Sequence, residues 1–124
     1  MRFIGYKSAN DMPALFNEMD VLVNVSINES FGVAVLEASS CEKCVIASNV
    51  GGLPEVVEDG KTGFLIESNN PEKLASVLEN IMLNPELSSK MGKMGRQKVL
   101  QEYDLRKCTE KYLDIYNSLL KLKD

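Results

Sequence analysis

The chain has 124 residues, of which 44% are hydrophobic, which is the size and composition of one small globular domain. It contains no apolar run near the roughly 20 residues of a membrane-spanning helix and no signal-peptide pattern, so we expect a cytoplasmic protein without a transmembrane segment. The absence of histidine excludes His-dependent triads, and the net charge of −4 without a basic face argues against a nucleic-acid partner.

The pattern of apolar residues predicts a single α/β unit over residues 1–124, with a Rossmann-like parallel sheet and helices on both faces. Strands are predicted near residues 2–5, 21–26, 44–48 and 62–66. Helices are predicted over 11–19, over 31–40 and in a short segment begun by Pro54.

The last third of the chain is predicted to be helical. Pro85 begins a helix that Gly92 and Gly95 are expected to weaken, and Asp104 is expected to cap a final one. That final helix is predicted to carry one apolar face, formed by Leu105, Cys108, Tyr112, Ile115, Tyr116 and Leu119.

Residues 26–37 combine a strand end, a polar turn and a helix start. Asn28, Glu29 and Ser30 supply turn and N-cap chemistry, while Gly32 allows a ligand to approach the backbone closely. A helix N-terminus presents free N–H groups that suit a phosphate, and Glu37 lies further along the same helix. The two carboxylates are thus placed to bind hydroxyls on either side of a diphosphate, unless both are ordinary surface charges.

Cys41 and Cys44 form a C-x-x-C pair, which can indicate redox chemistry or half of a zinc site. Because the chain has neither a second pair nor a histidine, we favour structural cysteines at a helix-to-strand corner.

The ordered set of motifs along the chain resembles the family-4 retaining glycosyltransferases, which are GT-B enzymes. The motifs are Glu29-Ser30-Phe31-Gly32 with Glu37, then Gly51-Gly52-Leu53-Pro54-Glu55, then Asp59-Gly60 with Gly63. In that family the C-terminal domain binds a nucleotide-sugar donor, so the resemblance implies the C-terminal half of a donor-binding domain. The chain departs from the family at Glu42, where glycine is usual, and at Val25 and Cys44, where proline is common.

The resemblance implies a role for each matched residue. Glu29 is expected to be the catalytic residue beside the donor sugar, and Glu37 is expected to bind the ribose hydroxyls. The other residues expected to contact the donor are Ser30, Phe31, Gly32, Val33, Gly51 and Gly52. The Gly51-Gly52 pair alone would also fit a bare turn. Neither a metal nor a cofactor is implied, because such enzymes stabilise the leaving diphosphate with basic residues and a helix dipole.

Those basic residues belong, in the family, to a part of the enzyme that precedes this segment, as does the whole acceptor domain. We therefore expect a truncated or split piece that is inactive alone, and one that lies at the inner membrane only as part of a complete enzyme. Its expected partners are a nucleotide-sugar donor and either the acceptor domain or a second copy. The alternatives are a non-catalytic nucleotide-binding or assembly module and a degenerate remnant without a ligand.

The family's doubly wound strand order places two further strands between those matching 2–5 and 21–26. We therefore expect the chain to pair 2–5 directly with 21–26, or to self-associate through exposed edges and an unpartnered final helix.

Overall fold

The computed structural model describes residues 1–121, in which three parallel strands form one sheet. The strands lie in the order β1 (Val21–Asn24), β2 (Cys44–Ser48) and β3 (Gly63–Ile66). The helices of these residues are α1 (Met12–Asn17), α2 (Val33–Ser40), α3 (Leu53–Val56), α4 (Pro71–Leu83), α5 (Pro85–Glu102) and α6 (Leu105–Lys121). The carboxyl ends of parallel strands lie at one edge of a sheet, so the loops after β1 and β2 emerge side by side.

The central strand β2 is buried on both faces and divides the core into two clusters. Val45 and Ala47 belong to the cluster that α1, α2 and α3 cover. Cys44 and Ile46 belong to the cluster that α4 and α5 cover. Successive side chains of a strand point to opposite faces, which explains why four consecutive buried residues serve two cores.

The predicted strand at residues 2–5 is wrong, and so is its predicted pairing with 21–26. Residues 1–7 lie outside every helix and strand and are exposed, with Phe3 86% accessible. Gly5, at φ +66°, turns the chain before it reaches β1. A strand needs a neighbour for its backbone hydrogen bonds, and within residues 1–121 the outer edge of β1 pairs with nothing.

The other predicted elements form, with shifted ends. β1 ends at Asn24 rather than at residue 26, and the Ser26 hydroxyl donates to the Asn24 Oδ1 at 2.7 Å just beyond its end. Helix α2 begins at Val33 rather than at residue 31, with Gly32 as its N-cap. The structure describes β2 over the predicted residues 44–48.

The corner after α2 contains a residue in a left-handed conformation. Glu42 adopts φ +60°, a left-handed conformation that costs a residue other than glycine about 1–2 kcal/mol. Cys41 and Cys44 are both free thiols at this corner. Cys44 is 1% exposed, and burial raises the pKa of its thiol although a hydrogen bond with Ser88 opposes this effect. Both observations support a structural role for the pair.

Candidate functional site

Two of the predicted site segments pack main chain against main chain at the carboxyl edge of the sheet. The Gly52 N–H donates to the Glu29 carbonyl oxygen at 3.1 Å. A Cβ atom at Gly52 would lie 2.5 Å from the Ser30 carbonyl oxygen, and one at Gly51 would overlap the Glu29 carbonyl. The two glycines are therefore required for the close approach of the loop after β2 to the loop after β1.

Helix α2 begins at this junction without a side-chain cap. Its N-cap is Gly32, at φ +89°, and no described side chain accepts a hydrogen bond there. The first intrahelical bonds run from Val35 and Leu36 to the Gly32 carbonyl, which leaves the N–H groups of Val33 and Ala34 without an acceptor inside the helix. The expected Ser or Asn cap is wrong, since the helix starts two residues later. The resulting first turn is open and suits an anion.

The structure brings most of the predicted residues together. The Glu29 side chain is half-buried, and its Cγ atom lies 3.8 Å from the position that a Cβ atom would take at Gly32. Ser30, Phe31 and Val33 are exposed around the same turn. Glu37 is exposed on α2, about 7.5 Å along the axis from Gly32 at 1.5 Å per residue. It lines a cleft of about 80 Å³ between α1 and α2.

The charged side chains beside α3 form an ion-pair group around Glu58. The Glu58 carboxylate accepts from Lys61 at 2.6 Å and from Lys98 at 3.2 Å, and both hydrogen bonds lower its pKa. Burial acts to lower the pKa of Lys98, but the hydrogen bond to Glu58 and the charge of Glu102 outweigh it and raise that pKa. These two ammonium groups are thus engaged by carboxylates at the end of α3 that lies away from the Gly51–Gly52 turn.

Tyr103, for which no sequence motif indicates a site role, contacts the loop after β1 and helix α3. Its ring meets the Phe31 ring edge-on, with centroids 5.9 Å apart at 64°, and its hydroxyl donates to the Glu55 carbonyl oxygen at 3.0 Å. The sequence feature that could have indicated Tyr103 is an aromatic residue between two predicted helices, α5 and α6. Spacing alone cannot assign its partners, which lie 48 and 72 residues away.

Within residues 1–121, no group of three His, Cys, Asp or Glu side chains is arranged to hold a metal ion. In the same range, no helix combines the length and apolar character that crossing a bilayer requires.

Comparison with known proteins identifies relatives of this chain. Residues 1–98 match the family model "Glycosyl transferases group 1". The chain is 34% identical, over 119 residues, to D-inositol 3-phosphate glycosyltransferase of Saccharomonospora viridis; the match covers 96% of this chain and 27% of that protein.

Two solved structures share the fold. The chain superimposes on the sucrose-phosphate synthase of Thermosynechococcus elongatus with a TM-score of 0.91 and 28% identity, over 98% of this chain and 30% of that one. It superimposes on Anabaena Alr3699/HepE, solved in complex with UDP-glucose, with a TM-score of 0.87 and 25% identity, over 94% and 32% of the two chains.

The chain thus spans between a quarter and a third of the length of these relatives. The expected fold class is confirmed, since the structural neighbours are GT-B glycosyltransferases with the same Rossmann-like arrangement. The family match extends over more than three quarters of the chain, from the exposed N-terminal residues to α5. This chain belongs to the glycosyl transferases group 1 family.

Proposed function

We propose that the chain is the nucleotide-sugar-binding part of a family-4, retaining glycosyltransferase. The observation that carries the proposal is the packing of Gly51 and Gly52 against the Glu29 main chain, directly beside the open first turn of α2. The UDP-glucose complex of the Anabaena neighbour supports a ligand of this class.

In this proposal each part of the donor has its own contact. The diphosphate lies on the first turn of α2, near the main chain of Phe31, Gly32 and Val33, where the helix dipole favours negative charge. Phe31 and Val33 are exposed there, whereas Gly32 is buried. Glu29 lies beside the donor sugar, with Ser30 and the Gly51–Gly52 turn around it. Glu37 accepts hydrogen bonds from the ribose hydroxyls. The nucleotide sugar is the substrate, and we propose that neither a metal nor a cofactor is needed.

The charge of this region indicates that the chain alone does not transfer sugar. Between Ser8 and Glu72 there are 11 acidic and two basic residues, a balance of 2 − 11 = −9. Lys61 and Lys98, beyond the far end of α3 from the site, are engaged by Glu58. Stabilising a leaving diphosphate requires cations, and we propose that another part of a complete enzyme supplies them together with the acceptor site.

We expect UDP, ADP or GDP to bind the isolated chain at millimolar strength, about −4 kcal/mol, with NMR shifts confined to residues 29–37 and 51–55. Glu37→Gln should reduce the shifts, whereas the matched change Glu86→Gln, in the first turn of α5, should not. The titration should be the same in buffer containing EDTA. Incubation with nucleotide sugars and simple acceptors should give no product.

Shifts spread evenly over the chain, or confined to α5 and α6, would contradict the site assignment. Absence of binding by all three nucleotides would instead favour a degenerate remnant. A non-catalytic nucleotide-binding module would bind but lack an adjacent acceptor domain. An open reading frame directly upstream that encodes such a domain would favour the enzyme.

The exposed face of α6 supports the proposed protein partner. Apolar side chains there are more than half exposed, namely Tyr112, Leu113, Ile115, Tyr116, Leu119 and Leu120. We propose that the acceptor domain covers this face in a complete enzyme and that a second copy covers it in the isolated chain.

Sedimentation at micromolar concentration should therefore detect a dimer. Ile115→Lys should shift the chain toward monomer, because it places a charge in the apolar face. Asp114→Asn changes the net charge by the same one unit on the opposite face of α6 and should leave the dimer intact. A wild-type chain that stays monomeric under these conditions would refute self-association.

A further inference from the structure

We propose that Tyr103 is a positioning residue that holds the two loops of the donor site in register. This inference rests on the proposed function for its consequences in binding, but its geometry is independent of any ligand. Tyr103 lies outside the residues that the family model matches, and the site roles considered above do not include it.

The Tyr103 side chain is placed to act on both loops at once. Its ring contacts the Phe31 ring in the loop after β1, and its hydroxyl contacts the Glu55 carbonyl in α3, which follows the Gly51–Gly52 turn. Phe31 immediately precedes Gly32, the N-cap of α2. Restraining the Phe31 ring therefore restrains the start of the helix on which the diphosphate is proposed to lie.

The hydrogen bond to Glu55 has a clear local reason. Helix α3 has four residues, so the carbonyl groups near its end, including that of Glu55, lack N–H donors further along the helix and must find donors elsewhere. Burial, together with the charges of Glu102 and Glu55, raises the pKa of Tyr103 despite the opposing charge of Lys98. The hydroxyl thus keeps its proton at neutral pH and can donate it to the Glu55 carbonyl.

Tyr103 is itself held firmly. Its N–H donates to the Val99 carbonyl at 2.9 Å and closes α5, and the next residue, Asp104, accepts from the Arg106 N–H at 2.9 Å at the start of α6. Five residues earlier, Lys98 binds Glu58 beyond the other end of α3. The end of α5 therefore bonds to the α3 region through two residues, Lys98 and Tyr103. Of these two, Tyr103 also contacts the loop after β1.

The test compares Tyr103→Leu and Tyr103→Phe with Phe3→Leu, since Phe3 is an aromatic residue that is 86% exposed outside every helix and strand. Tyr103→Leu should accelerate hydrogen exchange of the Gly52 amide about tenfold relative to the amides of β2, because it removes both contacts. It should also weaken binding of UDP, ADP or GDP about threefold to tenfold under conditions in which the protein is folded. Tyr103→Phe keeps the ring contact, so both its Gly52 exchange rate and its nucleotide affinity should lie between those of the wild type and Tyr103→Leu.

A purely structural role would lower global stability and accelerate the β2 amides together with Gly52, without changing the affinity of the folded protein. Exchange and affinity in Tyr103→Leu that match those in Phe3→Leu would overturn the proposal. If the wild-type chain binds none of the three nucleotides, the proposed function fails, and the exchange rate of Gly52 alone then decides the role of Tyr103.

Discussion

Replacing Gly51 by alanine is expected to destabilise the protein by about 3 kcal/mol and to abolish nucleotide binding. A Cβ atom there would overlap the Glu29 carbonyl, well inside the 3.0 Å that real Cβ contacts keep. The residue also has φ +54°, which strains any side chain other than hydrogen. The two loops would have to separate, and the bond from Gly52 to Glu29 would break with them.

The matched control is Gly60→Ala. Gly60 has a similar left-handed conformation, at φ +73°, but nothing lies within 4 Å of a Cβ atom there. This variant should therefore show the backbone strain alone, about 1 kcal/mol, with nucleotide binding retained. Urea unfolding and the UDP titration measure both effects. Equal stability losses in the two variants would show that the close contact between the loops is not a constraint.

Alanine substitutions at Gly92 and Gly95 are expected to change stability in opposite directions, although both residues lie in α5 three positions apart. A Cβ atom at Gly92 would overlap the Glu42 carbonyl, because α5 crosses the corner between α2 and β2 at that point. Gly92→Ala should therefore cost about 2–3 kcal/mol. A Cβ atom at Gly95 would lie 3.5 Å from the Ser39 side chain, which is an ordinary contact.

Gly95→Ala should accordingly stabilise the protein by about 1 kcal/mol, since alanine is the better helix former. The difference between the urea unfolding midpoints of Gly92→Ala and Gly95→Ala reports the cost of the close contact at Gly92, because both variants gain the same helix propensity. Two changes of the same sign would contradict the assignment. Gly92 and Gly95 were expected to weaken this helix, yet α5 runs unbroken from Pro85 to Glu102. Gly92 also has a packing role, because it allows α5 to approach the Glu42 carbonyl closely.

Several features of this protein follow from local sequence. The short apolar run from Cys44 to Ala47 predicts a strand buried on both faces, and β2 forms over the predicted residues 44–48. The strand, turn and helix around Glu29 also form where they were predicted, apart from their ends. The clustering of Glu29 with Gly51 and Gly52 was predictable as well, because parallel strands send their following loops to one edge.

Other features depended on the tertiary structure. Residues 2–5 have the apolar pattern of a strand, yet none of the described strands pairs with them. A strand needs backbone hydrogen bonds to a neighbour, and sequence periodicity does not show whether such a neighbour exists. Gly92 and Gly95 are indistinguishable in sequence and differ only in what faces them. Tyr103 acquires its role from contacts 48 and 72 residues away. Local patterns report which face of an element is apolar, whereas the neighbour that covers that face is decided when distant segments pack together.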